Sequence, residues 1–576
     1  MKTNIVATIC VLVIMAASAP SQDQSFGYRV FDLRYLIGQD VHVPLEAELP
    51  LWRVYSQNWE REGRGMGEAQ VSIDQVVDMI RETVARESWD EEGCSLNSSW
   101  GSVVVKNKPA VLDEVGKFLD WLQTALMRPV TVELYRVPAG KVTQSGALSA
   151  AEVKRLIALP GVKTRARLEL PSGRTRRVRA GTTVSFLGDY DVEVAQSAQV
   201  ADPLIMVLHD GLDLRIRTQV TPDGRVCVRV MGRDSSLEKL QLRDADSTWV
   251  GRIQFPVVDS QVVMGTGVVE AGGGMLFGAA QGDDDGVFLV RATPKKVADR
   301  SPIGGCALIP LGAGTIAQPQ AGPLRLGSPA RSGESSTQIE DGDREEIRLI
   351  SPDGVIEMCR TAVDPAGWDE DPYRSLWIIN GQLFVKGPDK VLDGVRKLVT
   401  GISDSYLKNV GLEVRMGLVS SEDAAGAASG QADLAALAGR LDTKTWISTL
   451  AGEDFRQMLG REQAYLKDHD VEIAEKATIA DPVVATIFSG IAFQGRISRV
   501  GRGRLGLRGQ FVIQDLDGEV TAVDGNANDI GVVDVPSTGI TEADVTQTLD
   551  DGRWTLLRLA PRPGKADILA ILVRAR

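Results

Sequence analysis

The sequence predicts an α+β protein of two tandem modules, each a small α/β unit followed by a β-rich domain. The main observation is an internal repeat. Residues 77–84 match residues 356–363, and the Trp-Asp-Glu triplet that begins at Trp89 recurs at Trp368. Such a long repeat indicates a duplicated module, which favours a scaffold or an assembly role over a single catalytic pocket.

The spacing between the two copies changes by one position and then returns. Residues 111–113 match residues 391–393, whereas residues 191–195 match residues 470–474, at the same spacing as the two tryptophans. A single-residue insertion or deletion explains this slip. We therefore expect the same order of elements in both copies.

Each copy begins with alternating helical and strand patterns. In the first copy, residues 76–84 carry apolar side chains at helical spacing, and residues 103–105 predict a short strand. Apolar residues then recur at helical spacing over 111–126, behind Pro109 in the first helical turn, and residues 130–137 alternate as a strand. These patterns predict a small sheet with two helices packed on one face.

The remainder of each copy has the patterns of β structure. Residues 171–174 form a turn sequence between two charged, alternating arms, which predicts a hairpin over residues 163–179. Residues 212–220 and 226–230 flank a Pro-Asp-Gly turn and predict a second hairpin. We expect the second copy to repeat this β-rich region.

Composition places the boundaries between these regions. Lys2, the apolar run that follows it and the small residues of 17–21 predict a signal peptide. A stretch rich in Gly, Pro, Ala and Ser that ends in acidic residues predicts a flexible linker between the copies. The predicted divisions are a signal peptide at 1–21, an α/β unit at 22–140, a β-rich domain at 141–299, a linker at 300–343, a second α/β unit at 344–420 and a second β-rich domain at 421–576.

Charge and hydropathy limit the partners of the mature chain. The sequence carries 64 Lys and Arg against 77 Asp and Glu, a net charge of −13, which argues against nucleic-acid binding because phosphates repel an acidic protein. No stretch after the signal peptide has 18 consecutive apolar residues, so we expect no integral membrane segment. The predicted location is the periplasm, or association with the outer membrane.

Four cysteines follow the signal peptide, and no cysteine in one copy matches a cysteine in the other. They are Cys94, Cys227, Cys306 and Cys359. An oxidising compartment permits disulfides, but no disulfide belongs to the repeated unit, and isolated thiols are the favoured interpretation. The sequence leaves their pairing open.

Several segments resemble the secretin family, the ring-forming outer-membrane proteins of type II and type III secretion systems and of pili. Residues 129–137 and 409–417, with Glu133 and Glu413, look like degenerate versions of the family strand that leads from the periplasmic ring modules into the secretin domain. Residues 212–230 resemble the hairpin of that domain, and residues 262–278 resemble its glycine-rich strand. The resemblance implies βαββα ring modules and a β-rich secretin-like domain.

The sequence also departs from the family pattern. The Val-Pro-Val-Leu-Gly-Asp-Ile-Pro segment of secretins is missing from both copies, and no set of strands has the alternation expected of a lipid-facing barrel. Within this resemblance, the chain is similar to a secretin-like repeat protein whose pore signature is absent.

Candidate catalytic and metal-binding residues form no known pattern. The three histidines, His42, His209 and His469, do not recur between the copies, and no HExxH or GxSxG sequence is present. Residues 501–506 match GxGxxG, but a strand pattern follows them, which predicts a hairpin turn. Residues 283–285 are three aspartates that suit either a Ca²⁺ site or a solvated turn, and the turn is favoured. We assign no catalytic, cofactor or metal site.

The strongest local binding candidate is a group of arginines in the first copy. Alternation over the predicted hairpin would place several on one strand face, suited to carboxylate or phosphate groups of a partner or an envelope polymer. The alternative is a charged edge that blocks strand aggregation. The residues are Arg165, Arg167, Arg174, Arg176, Arg177 and Arg179.

The two repeated tryptophans, Trp89 and Trp368, also have two interpretations. Surface tryptophan often anchors a partner. A tryptophan directly after an amphipathic helix more often closes the core, and we favour that interpretation.

These observations together predict an exported, non-enzymatic envelope protein with a scaffold or protein-interaction role. Its partners would be other copies of itself or other envelope proteins. One alternative is a subunit of a type II or type III secretion channel in the outer membrane. A less favoured alternative is an enzyme that acts on an envelope polymer, which would need convergent titratable groups in a pocket.

Overall fold

The structure is a computed structural model. It describes residues 26–37, 41–42, 52–54, 65–66, 71–99, 101–195, 198–244, 251–312, 351–371, 373–474, 477–501, 503–518, 520–524, 532–561 and 567–576. The predicted signal peptide lies outside the described residues, as does the predicted linker beyond residue 312.

The first α/β unit is a three-stranded antiparallel sheet in the order β1-β6-β5, with helices packed against it. Val76, Met79 and Ile80 on α2 and the buried face of α3 form one cluster with Val103 and Val105 of β6, which explains the apolar periodicity of this region. The elements are β1 (Gly27–Asp32), α1 (Arg34–Ile37), β2 (Val41–His42), β3 (Trp52–Val54), β4 (Gly65–Met66), α2 (Ile73–Thr83), β5 (Ser95–Ser99), β6 (Ser102–Asn107) and α3 (Pro109–Leu126).

The first β-rich region contains strands of up to 23 residues. Its elements are β7 (Pro129–Pro138), β8 (Ala147–Leu148), α4 (Ala150–Ile157), β9 (Lys163–Pro171), β10 (Thr175–Ala195), β11 (Ala198–Val220), β12 (Val226–Asp244), β13 (Arg252–Val269), β14 (Gly274–Ala280) and β15 (Gly286–Pro294). The predicted hairpin at the Pro-Asp-Gly turn is confirmed, because β11 and β12 pair from Val220↔Val226 onward.

The predicted hairpin over residues 163–179 is wrong. β9 pairs with β7, and β10 pairs with β11, so the two arms belong to different sheets. Between them the chain crosses from one sheet to the other: the Ser172 N–H donates to the Arg128 carbonyl and the Gly173 N–H donates to the Thr218 carbonyl. Gly173 adopts a φ of +83°, which only glycine adopts readily. A turn signal marks a reversal of the chain but does not say which strand each arm pairs with.

The second α/β unit repeats this arrangement, with a sheet in the order β16-β18-β17. Its elements are β16 (Cys306–Pro310), α5 (Pro352–Ala362), α6 (Pro365–Glu370), β17 (Ser375–Ile379), β18 (Gln382–Lys386) and α7 (Asp389–Tyr406). β16 lies inside the range that the sequence predicts as linker. All five of its residues are buried and pair with β18, so this short apolar stretch belongs to the second unit.

The second β-rich region follows the same plan as the first. Its elements are β19 (Asn409–Val419), α8 (Ser421–Ala428), α9 (Leu434–Arg440), β20 (Thr443–Leu450), β21 (Asp454–Ala474), β22 (Ala477–Gly501), β23 (Arg504–Leu516), β24 (Thr521–Asp524), β25 (Val532–Val535), β26 (Thr538–Asp550), β27 (Trp554–Pro561) and β28 (Ile568–Ala575). The GxGxxG sequence lies in the turn between β22 and β23, where Gly501 pairs with Arg504.

Five helices begin at a capping side chain that accepts a hydrogen bond from a backbone N–H of the first turn. The caps are Ser72, Ser149, Ser351, Ser420 and Asp433. The longest described helices, α3 and α7, have 18 residues each. In the part of the chain that the structure describes, no helix is long and apolar enough to cross a membrane.

Two large antiparallel sheets each combine strands from both copies. The long-strand sheet has the order β10-β11-β12-β13-β21-β22-β23-β26, with β3 added on β11. The short-strand sheet has the order β27-β28-β19-β20-β14-β15-β7-β9, with β8 added on β14. Apolar side chains from both sheets form shared clusters, so the two sheets pack face to face and bury these clusters between them.

Several described elements recur along the chain at the spacing of the sequence repeat, although β24, β25 and α9 have no equivalent in the first half. Helices α2 and α5 begin at positions 73 and 352, and strands β10 and β21 begin at positions 175 and 454, which is the spacing of the two tryptophans. Helices α3 and α7 begin at positions 109 and 389, a spacing that is larger by one. We call elements and residues that occupy the same place in the two copies counterparts.

The cysteine environments predict the order of thiol reactivity. The four described cysteines form no disulfide with one another; Cys94 is partly exposed, whereas Cys227, Cys306 and Cys359 are buried. Burial raises the pKa of Cys306 and Cys359 to about 11. Since the thiolate is the nucleophile, only about 0.1% of such a thiol is reactive at pH 8. We expect iodoacetamide to modify Cys94 of the native protein first and the other three only after unfolding, as measured by peptide mass spectrometry. Equal modification of all four in the native protein would contradict this.

Candidate functional site

The arginines singled out by the sequence do not share one face. Arg165 and Arg167 lie on β9 in the short-strand sheet, whereas Arg176, Arg177 and Arg179 lie on β10 in the long-strand sheet. The predicted common face is therefore wrong, because the turn between β9 and β10 sends the two arms to different sheets. The sixth, Arg174, lies in that turn and is buried, with its guanidinium donating to the Leu36 carbonyl at 3.0 Å.

Among the contacts between described residues, ion pairs within the chain hold Arg165, Arg167 and Arg177. Arg177 contacts the fully buried carboxylate of Asp213 at 2.6 Å. Arg167 lies 3.7 Å from Glu133 and Arg165 lies 3.6 Å from Asp234. Burial raises the pKa of Asp234, and the charges of Arg136 and Arg165 oppose that rise. Arg167, Arg176 and Arg179 remain exposed to solvent.

β9 and β10 are both terminal strands. Among the described residues, each has a paired strand on one side only, and β26 and β27 occupy the opposite ends of the same two sheets. A terminal strand presents backbone N–H and C=O groups that can pair with another strand. The arginines of β9 and β10 therefore line one edge of the molecule.

The two copies are joined by strand pairing in both large sheets. β13 of the first copy pairs with β21 of the second over eight residues, from Val257↔Gln463 to Met264↔Arg456. β14 pairs with β20 over three residues, from Gly278↔Trp446 to Ala280↔Lys444. We call this contact the module junction. Nothing in the alternating pattern of β13 or β21 identifies its neighbour, so the sequence did not reveal it.

Side chains reinforce the module junction with hydrogen bonds. The Asn409 amide spans the gap beside β13: its Oδ1 accepts from the Val268 N–H at 2.7 Å and its Nδ2 donates to the Val268 carbonyl at 2.6 Å. The Ser448 hydroxyl donates to the Leu276 carbonyl at 2.8 Å. These bonds satisfy backbone groups that would otherwise be buried without partners.

Charged pairs also cross the junction. Arg461 of β21 contacts Asp259 of β13 at 2.9 Å at the surface. Deeper in the sheet, Arg233 lies 3.8 Å from Glu462, and both side chains are almost completely buried. The Ser260 hydroxyl donates to Glu462 at 3.1 Å. Arg233 lies on β12 and Glu462 on β21, so this pair links the two halves of the chain, and a slip of β21 would leave a buried charge without its partner.

The glutamates of β7 and β19 make the same cross-strand contact. Glu133 on β7 faces Arg291 on β15, and Glu413 on β19 faces Arg574 on β28. Arg291 and Arg574 each end a Leu-Val-Arg sequence. Arg291 contacts Glu133 at 3.0 Å, and Arg574 and Arg415 both contact Glu413. These glutamates hold paired strands together within each copy.

The repeated tryptophans make the same contact in both copies. The Trp89 indole donates to the Val84 carbonyl at 2.8 Å, and the Trp368 indole donates to the Val363 carbonyl at 2.6 Å. Both rings are partly buried against the core of their α/β unit. This contact closes the end of the preceding helix, as the core interpretation predicts.

The remaining candidates form no catalytic constellation. His209 and His469 are buried, and each has Nε2 3.3 Å from a backbone carbonyl. Asp285 accepts from the N–H groups of Gln281 and Gly282 in the turn between β14 and β15. Within the described ranges, no group of three or more His, Cys, Asp or Glu side chains is placed to hold a metal ion.

Two cavities lie in the second copy. One, of about 710 Å³, is lined mainly by apolar residues of α7 and the end of α5. The other, of about 660 Å³, lies on β22, β23 and β26 and is lined by polar residues that include Arg496, Arg508 and Asp544. Arg496 is held by Asp454 at 2.8 Å.

Comparison with solved structures finds likenesses to secretins. The secretin-domain β-barrel of InvG from the Salmonella injectisome is 12% identical, with 48% of this chain and 89% of that chain covered and a TM-score of 0.22. ExeD of Aeromonas hydrophila is 9% identical, with 96% and 90% covered and a TM-score of 0.18. The outer-membrane complex of the Klebsiella pneumoniae type II secretion system, with PulD, is 9% identical, with 98% and 76% covered and a TM-score of 0.20. No protein-family model and no curated protein matches the sequence.

The two glutamate–arginine pairs predict unequal losses of stability. Glu413 is 3% exposed, so Arg574→Met leaves a buried carboxylate with Arg415 alone, and we expect a loss of about 2–3 kcal/mol in the free energy of unfolding. Glu133 is more exposed and keeps Arg167, so Arg291→Met should cost less than about 1 kcal/mol. Urea denaturation followed by tryptophan fluorescence measures both losses. Equal losses, or a larger loss for Arg291→Met, would contradict the conclusion that the buried Glu413 depends more on its arginine than Glu133 does.

Proposed function

We propose that the protein is an exported, non-enzymatic envelope scaffold, made of two secretin-like modules and able to associate side by side with further copies. The observation that carries this proposal is the module junction. It supports the proposal because β13 pairs with β21 and β14 pairs with β20, which joins the two halves of the chain in both large sheets at once. A single chain leaves one terminal strand of each sheet at either end, and these strands could make the same contact again.

We further propose that the modules arose by tandem duplication, each with a ring-type βαββα unit. The element order supports this proposal, because it repeats with the spacing of the sequence repeat. So do contacts that recur at matching residues, namely the indole of Trp89 and of Trp368, and the ion pairs of Glu133 and of Glu413. Fold resemblance alone does not establish function, and the proposal rests on these contacts and on the junction.

The terminal strands are counterparts of the joined strands. β21 is the counterpart of β10 and β26 is the counterpart of β13, so the contact between β13 and β21 has an intermolecular equivalent between β26 of one chain and β10 of the next. Such a contact uses different surfaces on the two partners. It is therefore head to tail, and produces a ring if the rotation closes or a filament if it does not.

The charges on the two terminal strands match in this arrangement. If β26 and β10 of neighbouring chains pair in the register of their counterparts β13 and β21, Glu542 lies opposite Arg179 and Asp544 lies opposite Arg177. Both acidic side chains are exposed on β26. Opposite charges that face each other across antiparallel strands contribute about 0.2–1 kcal/mol per pair and also guide the partners into register.

A secretion-channel subunit is the main rival. Fractionation of cells and the native mass of the mature protein in sedimentation experiments distinguish the scaffold from the channel subunit. A soluble or peripherally held oligomer in the periplasmic fraction would support the scaffold. A detergent-resistant multimer in the outer membrane would support the channel, and a strict monomer that captures no other copy would contradict side-by-side association.

Exchange of the charges at the proposed contact tests its register. Arg179→Glu or Glu542→Arg alone places like charges opposite each other, and we expect each to weaken self-association about fivefold or more. The double variant Arg179→Glu/Glu542→Arg restores opposite charges between neighbouring chains and should restore association. Sedimentation at low salt measures the change.

A charge reversal away from the edges serves as the control. Lys154→Glu on α4 is an exposed reversal that should leave association unchanged. Single variants that associate like the parent protein, or a double variant no better than either single variant, would rule out this register.

A further inference from the structure

The two α/β units pack against each other through unlike surfaces. α3 of the first unit lies on the outward face of the β16-β18-β17 sheet of the second, and their side chains share one buried cluster. The Phe118 and Phe384 rings meet edge to face at 6.4 Å. The Gln382 amide donates to the Ala125 carbonyl at 3.1 Å, and the Asn380 amide donates to the Leu126 carbonyl at 3.1 Å. The contact is thus helix on one side and sheet on the other.

No element that the structure describes covers the counterpart of the docked helix. α7 is the counterpart of α3, and its matching face lines the apolar cavity of about 710 Å³. Leu398, Gly401 and Ile402 of this cavity are the counterparts of Phe118, Trp121 and Leu122 on α3. Tyr406, at the end of the same face, is 51% exposed.

The counterpart of the covered sheet face is uncovered as well. Val30 pairs with Val104 in the first unit, and their counterparts Leu308 and Phe384 pair in the second unit. Tyr28 and Val30 on β1 are 68% and 45% exposed, which is unusual for large apolar side chains. The side chains of Tyr28, Val30 and Val104 form a surface that we call the β1 face.

The sizes of the side chains on the two uncovered surfaces are complementary. Where α3 carries Trp121, α7 carries Gly401, so the helix face is hollow. Tyr28 pairs with Lys106, and Cys306 pairs with the counterpart lysine, Lys386, so Tyr28 and Cys306 occupy the same place in the two sheets. The β1 face therefore carries a large ring where the covered sheet carries a small side chain. A hollow on one surface and a protruding ring on the other would bury apolar area with few voids.

We propose that the α7 cavity receives the β1 face of a second copy of this chain. The inference deepens the proposed head-to-tail association and rests on it: the strand contact joins the β-rich regions, and this contact joins the α/β units as a second layer. The occupant is a second copy because the chain already contains the equivalent contact between its own two units. Burial of Tyr28 and Val30 would supply the hydrophobic contribution that the charged strand contact lacks.

Filling the cavity tests the proposal without disturbing the fold. A Cβ at Gly401 meets nothing within 4 Å, so alanine fits there without a clash and a larger side chain starts from open space. Gly401→Trp gives α7 the residue that α3 carries and removes the hollow, and we expect it to weaken self-association about tenfold or more in sedimentation experiments. Gly401→Ala is the matched control and should change association little. A Gly401→Trp protein that associates as tightly as the alanine control would overturn the proposal.

Cross-linking separates this proposal from the strand contact. Two differently tagged chains, one with Leu398→Cys and one with Val104→Cys, are mixed in a Cys94→Ser background and treated with a short bismaleimide. A parallel pair, Thr541→Cys and Ala180→Cys, reports on β26 and β10, since the junction register places these residues opposite each other. Products from both pairs, with Gly401→Trp blocking the first, support the inference. A product from the strand pair alone overturns it and leaves the proposed function standing. No product from either pair overturns both.

Discussion

The backbone ladder between β13 and β21 is the interaction on which the rest of the structure depends. Eight consecutive residue pairs convert two modules into one continuous long-strand sheet. The ladder removes one exposed edge from each module and places β14 beside β20, where the short-strand sheet becomes continuous as well. The buried pair of Arg233 on β12 and Glu462 on β21 favours this register, and a slip of one residue would also turn every side chain to the opposite face.

Much of the local structure could be predicted from the sequence, because its signals are local. The apolar spacing over 111–126 corresponds to α3, and the Pro-Asp-Gly turn corresponds to the hairpin of β11 and β12. β16 was missed because five apolar residues within a Gly- and Pro-rich stretch give too short a pattern to separate a strand from a linker. Strand neighbours could not be predicted, since an alternating pattern states which face is buried but not which strand lies alongside.

The candidate site also combines features with a local sequence signal and features that depend on strands far apart in the chain. The arginines of β9 and β10 and the glutamates of the two matching strands are identifiable from the sequence, because charge and repetition are visible in it. A single hairpin for the two arginine-bearing arms predicts that these arginines share one surface, which the structure contradicts. The acidic residues of β26 went unnoticed, although Glu542 and Asp544 alternate as they would on one strand face. Their relation to Arg177 and Arg179 depends on the register of strands that are far apart in the chain.

The difference between the internal junction and the terminal strands has a physical reason. At the internal junction, Val262 faces Met458 and Met264 faces Arg456, whereas the corresponding terminal positions carry Glu542, Arg179, Asp544 and Arg177. Modules tethered in one chain meet at a high effective concentration, so opposite charges at these positions are not needed to bring them together. A terminal strand exposed to solvent needs charge to avoid indiscriminate pairing, which is the aggregation-blocking role considered for the arginines. The same charge permits pairing with a strand that carries opposite charges in register. The charge that prevents this edge from pairing with most strands also allows it to pair with a strand of opposite charge. Blocking of aggregation and binding of a partner are therefore two consequences of the same arginines.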